Sequence, residues 1–217
     1  MPHLLIAAHG TDSSVGSATT SAVVAGVRAA RPELDVSACF LDVAAPSLGD
    51  ALETLDGPVV IVPLLLSSGY HVRTDIPAIA AGHPDVRVAQ HIGPDPALAD
   101  LLATRLAAVR GSLAITSTAL VSIGSSRATA RAEVDKMARL LAERVGRPVA
   151  VLPLFGDVRS ALTALPGPVE IAPYLLADGH FLTALRAAAD GLGPVADPIG
   201  ADPVLVALIL ARFDAVR

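Results

Sequence analysis

Leu4-Leu5-Ile6-Ala7-Ala8-His9-Gly10-Thr11-Asp12-Ser13-Ser14 opens on a short apolar run and stops abruptly at a histidine, a glycine and a polar turn. An alanine- and valine-rich segment follows, from about Val15 to Arg31. A continuous apolar run of this length suits a strand buried on both faces. A strand feeding a helix through a loop is the unit from which parallel α/β sheets are built. In open sheets of this kind ligands bind beyond the carboxyl ends of the strands, which is where His9 falls.

The same alternation continues outward from that unit. Hydrophobic patterning predicts further strands at about 35–41, 57–66 and 86–90, and helices at about 15–30, 47–55, 73–81 and 96–109. Gly57-Pro58-Val59-Val60-Ile61-Val62-Pro63-Leu64-Leu65-Leu66 is rich in β-branched residues and bounded by turn signals, as a central strand should be. Asp95 followed by Pro96 marks the start of the last of these helices.

The pattern then recurs. The stretch from Gly57 to Gly69 is echoed, without a gap, by Gly167-Pro168-Val169-Glu170-Ile171-Ala172-Pro173-Tyr174-Leu175-Leu176-Ala177-Asp178-Gly179. Ile92-Gly93-Pro94-Asp95-Pro96 returns as Ile199-Gly200-Ala201-Asp202-Pro203, and the opening strand returns as Ala119-Leu120-Val121-Ser122-Ile123-Gly124, with a helical stretch at about 128–145 after it. The chain therefore reads as a tandem duplication of one α/β unit. The first copy spans 1–110 and carries the active site, and a degenerate second copy spans 117–217. A cleft between two such copies is the expected place for a ligand.

Bulk composition narrows the function. The chain is 53% hydrophobic and 17% charged, with only 3% aromatic residues, so its core is aliphatic. Every apolar run is interrupted before the ~18 residues of a membrane span, and no signal peptide is evident. The net charge is −5 and no basic stripe is present, which argues against a nucleic-acid partner. Cys39 is the single cysteine, so an internal disulfide and a thiolate zinc cluster are excluded, and a buried position on a strand is expected for it. A cytoplasmic protein with a small-molecule ligand, as a monomer or homodimer, is the resulting expectation.

His9, Asp42 and His71 each follow one of the first three predicted strands. Parallel strands bring such positions to one edge, so the three can converge. Two imidazoles and a carboxylate suit Fe²⁺, Co²⁺, Ni²⁺ or Zn²⁺ better than Mg²⁺ or Ca²⁺, and imidazoles also exchange protons near neutral pH. Each residue also has a plainer reading: a hydrogen-bonded strand-end histidine for His9, a turn or helix cap for Asp42. Ser13 and Ser14 either bind an anion at a helix start or cap that helix. His3, His83 and His91 are expected at the surface. In the second copy, position 9 becomes Ile123 and no carboxylate matches Asp42. His180 lies one position before the place of His71.

Leu4 to Thr11, then Phe40-Leu41-Asp42 with Pro46-Ser47, then Pro63 to Pro77 with its Gly69-Tyr70-His71-Val72-Arg73-Thr74-Asp75-Ile76-Pro77 run, together resemble the sirohydrochlorin chelatases, the small class II chelatases. The resemblance covers the whole chain. It implies a chelatase-like α/β fold of two repeats, each with a central parallel four-stranded sheet flanked by helices. It implies that His9 and His71 are catalytic, holding the metal and accepting protons, with Asp42 completing the ligands where the family usually has glutamate. It also implies that Gly10, Ser13, Ser67, Gly69, Tyr70, Arg73 and His180 face the substrate, a carboxylate-rich tetrapyrrole. The metal is then a substrate, Fe²⁺ or Co²⁺ with Ni²⁺ as a further candidate, and no organic cofactor is needed. Two other readings compete. A phosphatase with a nucleophilic histidine would want arginine before it, where this chain has Ala8. A non-catalytic carrier of metal or tetrapyrrole needs only the binding groups.

Overall fold

The structure is a computed structural model that describes residues 1–11 and 14–217. In chain order the elements are β1 (His3–Ala8), α1 (Ser14–Ala30), β2 (Val36–Phe40), α2 (Leu48–Thr54), β3 (Val59–Leu64), α3 (Ile76–Ala80), β4 (Val86–Val88) and α4 (Pro96–Arg110). The second half follows with β5 (Ser117–Ser122), α5 (Ala128–Val145), β6 (Val149–Pro153), α6 (Val158–Thr163), β7 (Val169–Pro173), α7 (His180–Ala189) and α8 (Pro203–Asp214). All strand pairs are parallel, in a four-stranded sheet ordered β2-β1-β3-β4 and a three-stranded sheet ordered β6-β5-β7. The α/β class and the repeated unit are as the sequence predicts.

The second sheet has one strand fewer than expected. Its fourth strand is reduced to a single bridge, Ile171 to Val195. Pro194 and Pro198 flank that position and give no N–H, so a ladder like that of β4 cannot extend.

The compact units also do not follow the repeat boundaries at 1–110 and 117–217. One unit is Met1–Gly93 with Ala201–Arg217, and the other is Pro94–Gly200. The repeats have exchanged their last helices: α8, from the second repeat, packs on α1 and β3, while α4, from the first, packs on α5 and β7. Side chains hold each exchanged helix in place. Arg31 donates twice to Asp214, at 3.1 and 3.0 Å, and Arg87 donates to the Val216 carbonyl at 2.9 Å. On the other unit, Arg144 pairs with Asp100 at 2.8 Å, and Arg110 forks onto the fully buried Glu170 at 2.7 Å for each bond.

In the first unit, β1 and β3 are sealed on both faces, because alternate side chains point to opposite sides. Leu5, Ala7, Val59 and Ile61 join Cys39, Leu48, Leu52 and Ile76 in one cluster, beneath α2 and α3. Leu4, Ile6, Val60 and Val62 are equally buried on the alternate positions, and α8 covers β3. Cys39 is fully buried as expected, and burial pushes its thiol up to about 12. The second unit repeats the plan with Ala119, Val121, Val169 and Ile171 packed against Leu162, Leu182 and Leu185. No described helix is long and apolar enough to cross a membrane.

Candidate functional site

Where β1 ends, its pairing with β2 runs on for two more residues. Leu41 N–H donates to the Ala8 carbonyl at 2.9 Å, and Asp42 N–H donates to the His9 carbonyl at 2.8 Å. His9 is therefore fixed through its backbone while its side chain stands exposed. Gly10 follows at φ +99°, and a Cβ there would overlap the Asp42 carbonyl oxygen, so only glycine lets the chain leave the sheet beside β2.

The histidine-bearing loop after β3 is built differently. After β3 the chain passes Ser67 and the buried Ser68, then enters a π-helical turn, His71–Asp75, immediately before α3. The Ile76 N–H reaches back five residues to the His71 carbonyl. Pro77, next in line, has no N–H to continue the ladder. The wide turn sets His71 and Asp75 side by side, and His71 Nδ1 lies 2.6 Å from Asp75 Oδ2. Such turns recur at functional sites.

The two loops deliver His9 and His71 together. Their rings meet edge to face, with centroids 4.8 Å apart and planes at 89°. A carboxylate only accepts, so the proton on His71 sits on Nδ1 and the Nε2 lone pair is left to act. His9 Nδ1 lies 3.3 Å from the Gly10 carbonyl, a weaker restraint of the same kind. Two imidazoles this close can each lend a nitrogen to one ion at the ~2.0–2.1 Å typical of imidazole–zinc bonds. Tyr70 is exposed next to them, its ring 6.2 Å from that of His71, and Arg73 is exposed on the same turn.

Other expected site residues are placed otherwise. Among the described residues no group of three or more His, Cys, Asp or Glu side chains is gathered closely enough to hold an ion, and of the three expected ligands His9 and His71 have their rings in contact. Asp42 lies beside His9 in the ladder, but its Oδ1 accepts from the Val43 N–H at 2.9 Å, within a tight turn where Val43 has φ +46°. It does not cap α2 either. Ser47 does, in a reciprocal box with Asp50 that contributes about 1 kcal/mol. Ser13 lies outside the described residues. His180 opens α7 in the other unit, stacked edge-on at 5.7 Å from Phe181. Two histidines expected at the surface are not fully there. His91 is 7% exposed, in a loop whose carbonyl accepts from Arg212 of α8. His3 is half-buried with Nε2 at 2.7 Å from the Ser37 hydroxyl, and burial lowers its pKa, with the Arg28 charge adding and Asp35 opposing. Asp75 is the residue that sequence reading leaves without a role. Its signal is the i, i+4 spacing from His71.

Fold and site together define a class: a duplicated chelatase-like α/β protein with one histidine pair at a sheet edge. Comparison with known proteins agrees. The CbiX family model matches residues 3–109, the stretch of the first repeat. The structure is similar to that of SirB from Bacillus subtilis with Fe³⁺, with TM-score 0.79 and 23% identity, covering 99% of this chain and 95% of that one. It is also similar to CbiX, described as the terminal enzyme of siroheme biosynthesis in denitrifying bacteria, with TM-score 0.75 and 25% identity over 98% of both chains. A curated sirohydrochlorin cobaltochelatase of Methanococcoides burtonii is 28% identical over 86 residues, which span 38% of this chain and 66% of that protein.

Proposed function

We propose that this chain is a sirohydrochlorin chelatase, a lyase that inserts a divalent metal into the tetrapyrrole of siroheme or cobalamin synthesis. The observation that carries the reading is the His9–His71 pair, 4.8 Å apart at the carboxyl edge of a CbiX-type sheet, with Asp75 holding His71. Fe²⁺ and Co²⁺ are the ions that fit the reading, and Ni²⁺ suits the same ligands.

Insertion exchanges one M²⁺ for two pyrrole N–H protons. The imidazoles serve both sides of that exchange. Nε2 of His9 and of His71 hold the ion, and as ring nitrogens replace them on the metal each freed lone pair becomes a base for a pyrrole proton. Exposure of His9 lets that proton pass to water. Asp75 stabilises the imidazolium that forms on His71, much as carboxylates orient metal-bound histidines elsewhere. The exposed Arg73 meets a substrate carboxylate, while Tyr70 and the backbone of Gly10, Ser67 and Gly69 line the approach. Asp42 anchors His9 through its backbone and joins the ligands only if its side chain turns from Val43.

The test is anaerobic incubation of the protein with sirohydrochlorin and Co²⁺ or Fe²⁺, followed by the absorbance of the macrocycle. Several turnovers per chain, lost in a His9→Ala/His71→Ala variant, are expected. Tight stoichiometric binding with a rate no better than the protein-free control would replace the enzyme with a carrier.

A further inference from the structure

The two units also differ at the opposite edge of their sheets, where the strands begin. In the second unit Glu170, near the start of β7, is fully buried and closely held. Arg110, from the end of α4, forks onto its carboxylate at 2.7 Å for each bond, and Arg147 at 3.1 Å and Thr118 at 2.9 Å add to the clamp. The first unit keeps the helix-end arginine and lacks the acid. The repeat sets Val60 at the place of Glu170 and Arg217 at that of Arg110. Strand register sets Leu4 at the place of Thr118 and Leu34 at that of Arg147.

Where the second unit has its clamp, the first has a cavity of about 220 Å³ that both Val60 and Arg217 line. Val59, Val60 and three prolines, Pro58 among them, form its apolar wall, and its charged members are Asp85, Arg87 and Arg217. Arg217 has Asp214 at 3.3 Å, but Asp214 also accepts from Arg31 at 3.1 and 3.0 Å. Arg87 donates through Nη1 to the Val216 carbonyl at 2.9 Å, which ties it to the segment that carries Arg217. Two guanidiniums against one carboxylate leave the lining with a surplus of one positive charge, which matches a monoanion. The apolar wall matches an aliphatic body. Pockets for drug-sized ligands run to roughly 300–1,000 Å³, so this one takes a smaller molecule and excludes a tetrapyrrole.

We propose that this cavity is a binding site for a small aliphatic monocarboxylate, whose carboxylate stands to Arg217 as Glu170 stands to Arg110. The planar guanidinium fork suits a carboxylate, and Arg87 supplies a second donor group beside it. The aliphatic body rests on Pro58, Val59 and Val60. The site lies at the amino ends of β3 and β4, and the six residues of β3 set it about 20 Å from the edge that leads to His71. It shares no residue with the histidine pair and does not depend on the chelatase reading.

Hexanoate is the probe, titrated into the full chain while the amide NMR shifts of Val59, Val60 and Arg87 are followed. Saturable shifts with a Kd of about 1 mM are expected for a ligand of so few atoms. Hexanol, which keeps the aliphatic chain and lacks the charge, is expected to bind about tenfold or more weakly, as is hexanoate to Arg217→Gln. Val60→Glu supplies the second unit's acid from within and is expected to abolish hexanoate binding. Should that variant fail to fold, Arg217→Gln, at a partly exposed position, carries the test. Absence of a saturable shift overturns the site. So does hexanol binding as tightly as hexanoate, or an affinity of Arg217→Gln for hexanoate equal to that of wild type. Loss of Co²⁺ affinity on saturation with hexanoate would place the anion at the histidines instead, and overturns it too.

Discussion

The first unit ends its strands in His9, Asp42 and His71, and the second ends the corresponding strands in Ile123, Phe155 and Phe181. The backbone hydrogen bonds that carry the first two of each set are the same. Register is therefore a property of the sheet, set by burial of alternate side chains, while the residues just past the strand ends are free to change. A second contrast lies inside the sheets. Val60 of β3 corresponds to Glu170 of β7, and Arg217 beyond α8 corresponds to Arg110 of α4. Arg217 and Val60 both line a cavity of about 220 Å³, and Arg217 pairs with Asp214 at 3.3 Å. Arg110 instead clamps Glu170, which Arg147 at 3.1 Å and Thr118 at 2.9 Å also reach. One exchanged helix is held over an apolar strand, and the other is locked to a buried charge.

The largest expected effect falls on the chemistry of the first unit. His9→Ala and His71→Ala should each lower metal insertion by about 10²-fold or more, the range of a positioned acid–base group, in an absorbance assay. Removing the second unit's single histidine, His180→Ala, should leave the insertion of prebound Co²⁺ near wild type. Equal losses from the two units would break the contrast between them.

Stability should show the opposite asymmetry. Glu170→Ala leaves Arg110 and Arg147 without their shared partner, and a loss of about 3–5 kcal/mol is expected in urea unfolding. Val60→Ala, a smaller cavity, should cost about 1–3 kcal/mol. The Glu170 effect also has a pH signature. Burial raises the carboxyl's pKa, but the bonds from Arg110 and Thr118 and the charges of Arg110 and Arg147 outweigh it, so the pKa lies below 4.5. The stabilisation is therefore whole at neutral pH. It begins to fade once the pH drops below the unfolded value near 4.5 and is gone once the folded group has also taken its proton. Unfolding curves of wild type and Glu170→Gln should converge over that interval.

Smaller effects sharpen the reading of the histidine pair. Asp75→Asn removes the anion behind His71 and should weaken metal binding or insertion by about 10- to 100-fold, with a shifted pH profile that Asp75→Glu partly restores. Asp42→Ala should change Co²⁺ affinity only about two- to threefold, within the reach of a single exposed interaction. A larger loss on Asp42→Ala, measured by titration calorimetry, would return it to the ligand set.

Much of this was legible in the residues. The apolar run before His9, the echo of the 57–69 stretch at 167–179, and the Asp95-Pro96 and Asp202-Pro203 helix starts are local patterns, and the structure realises them. The placement of His9 and His71 at one edge followed from parallel topology alone. What could not be read depends on long-range packing. The helix exchange leaves no local trace, because the crossover segments Ile92–Asp95 and Ile199–Asp202 look like ordinary loops. His91 reads as exposed until α8 arrives to cover it. Asp75 was within the quoted motif, yet its bond to His71 needs the π-helical turn that Pro77 helps to set. Glu170 was visible as a lone charge in an apolar strand, and only the fold supplies its arginines.

The central claim is that one unit, through His9 and His71 alone, holds the metal. Anaerobic calorimetric titration with Co²⁺ measures it directly. One ion per chain is predicted for wild type and none for His9→Ala/His71→Ala, with the Phe155→Ser/Phe181→Ser variant matching wild type. Retention of a stoichiometric ion by the double histidine variant would contradict the account.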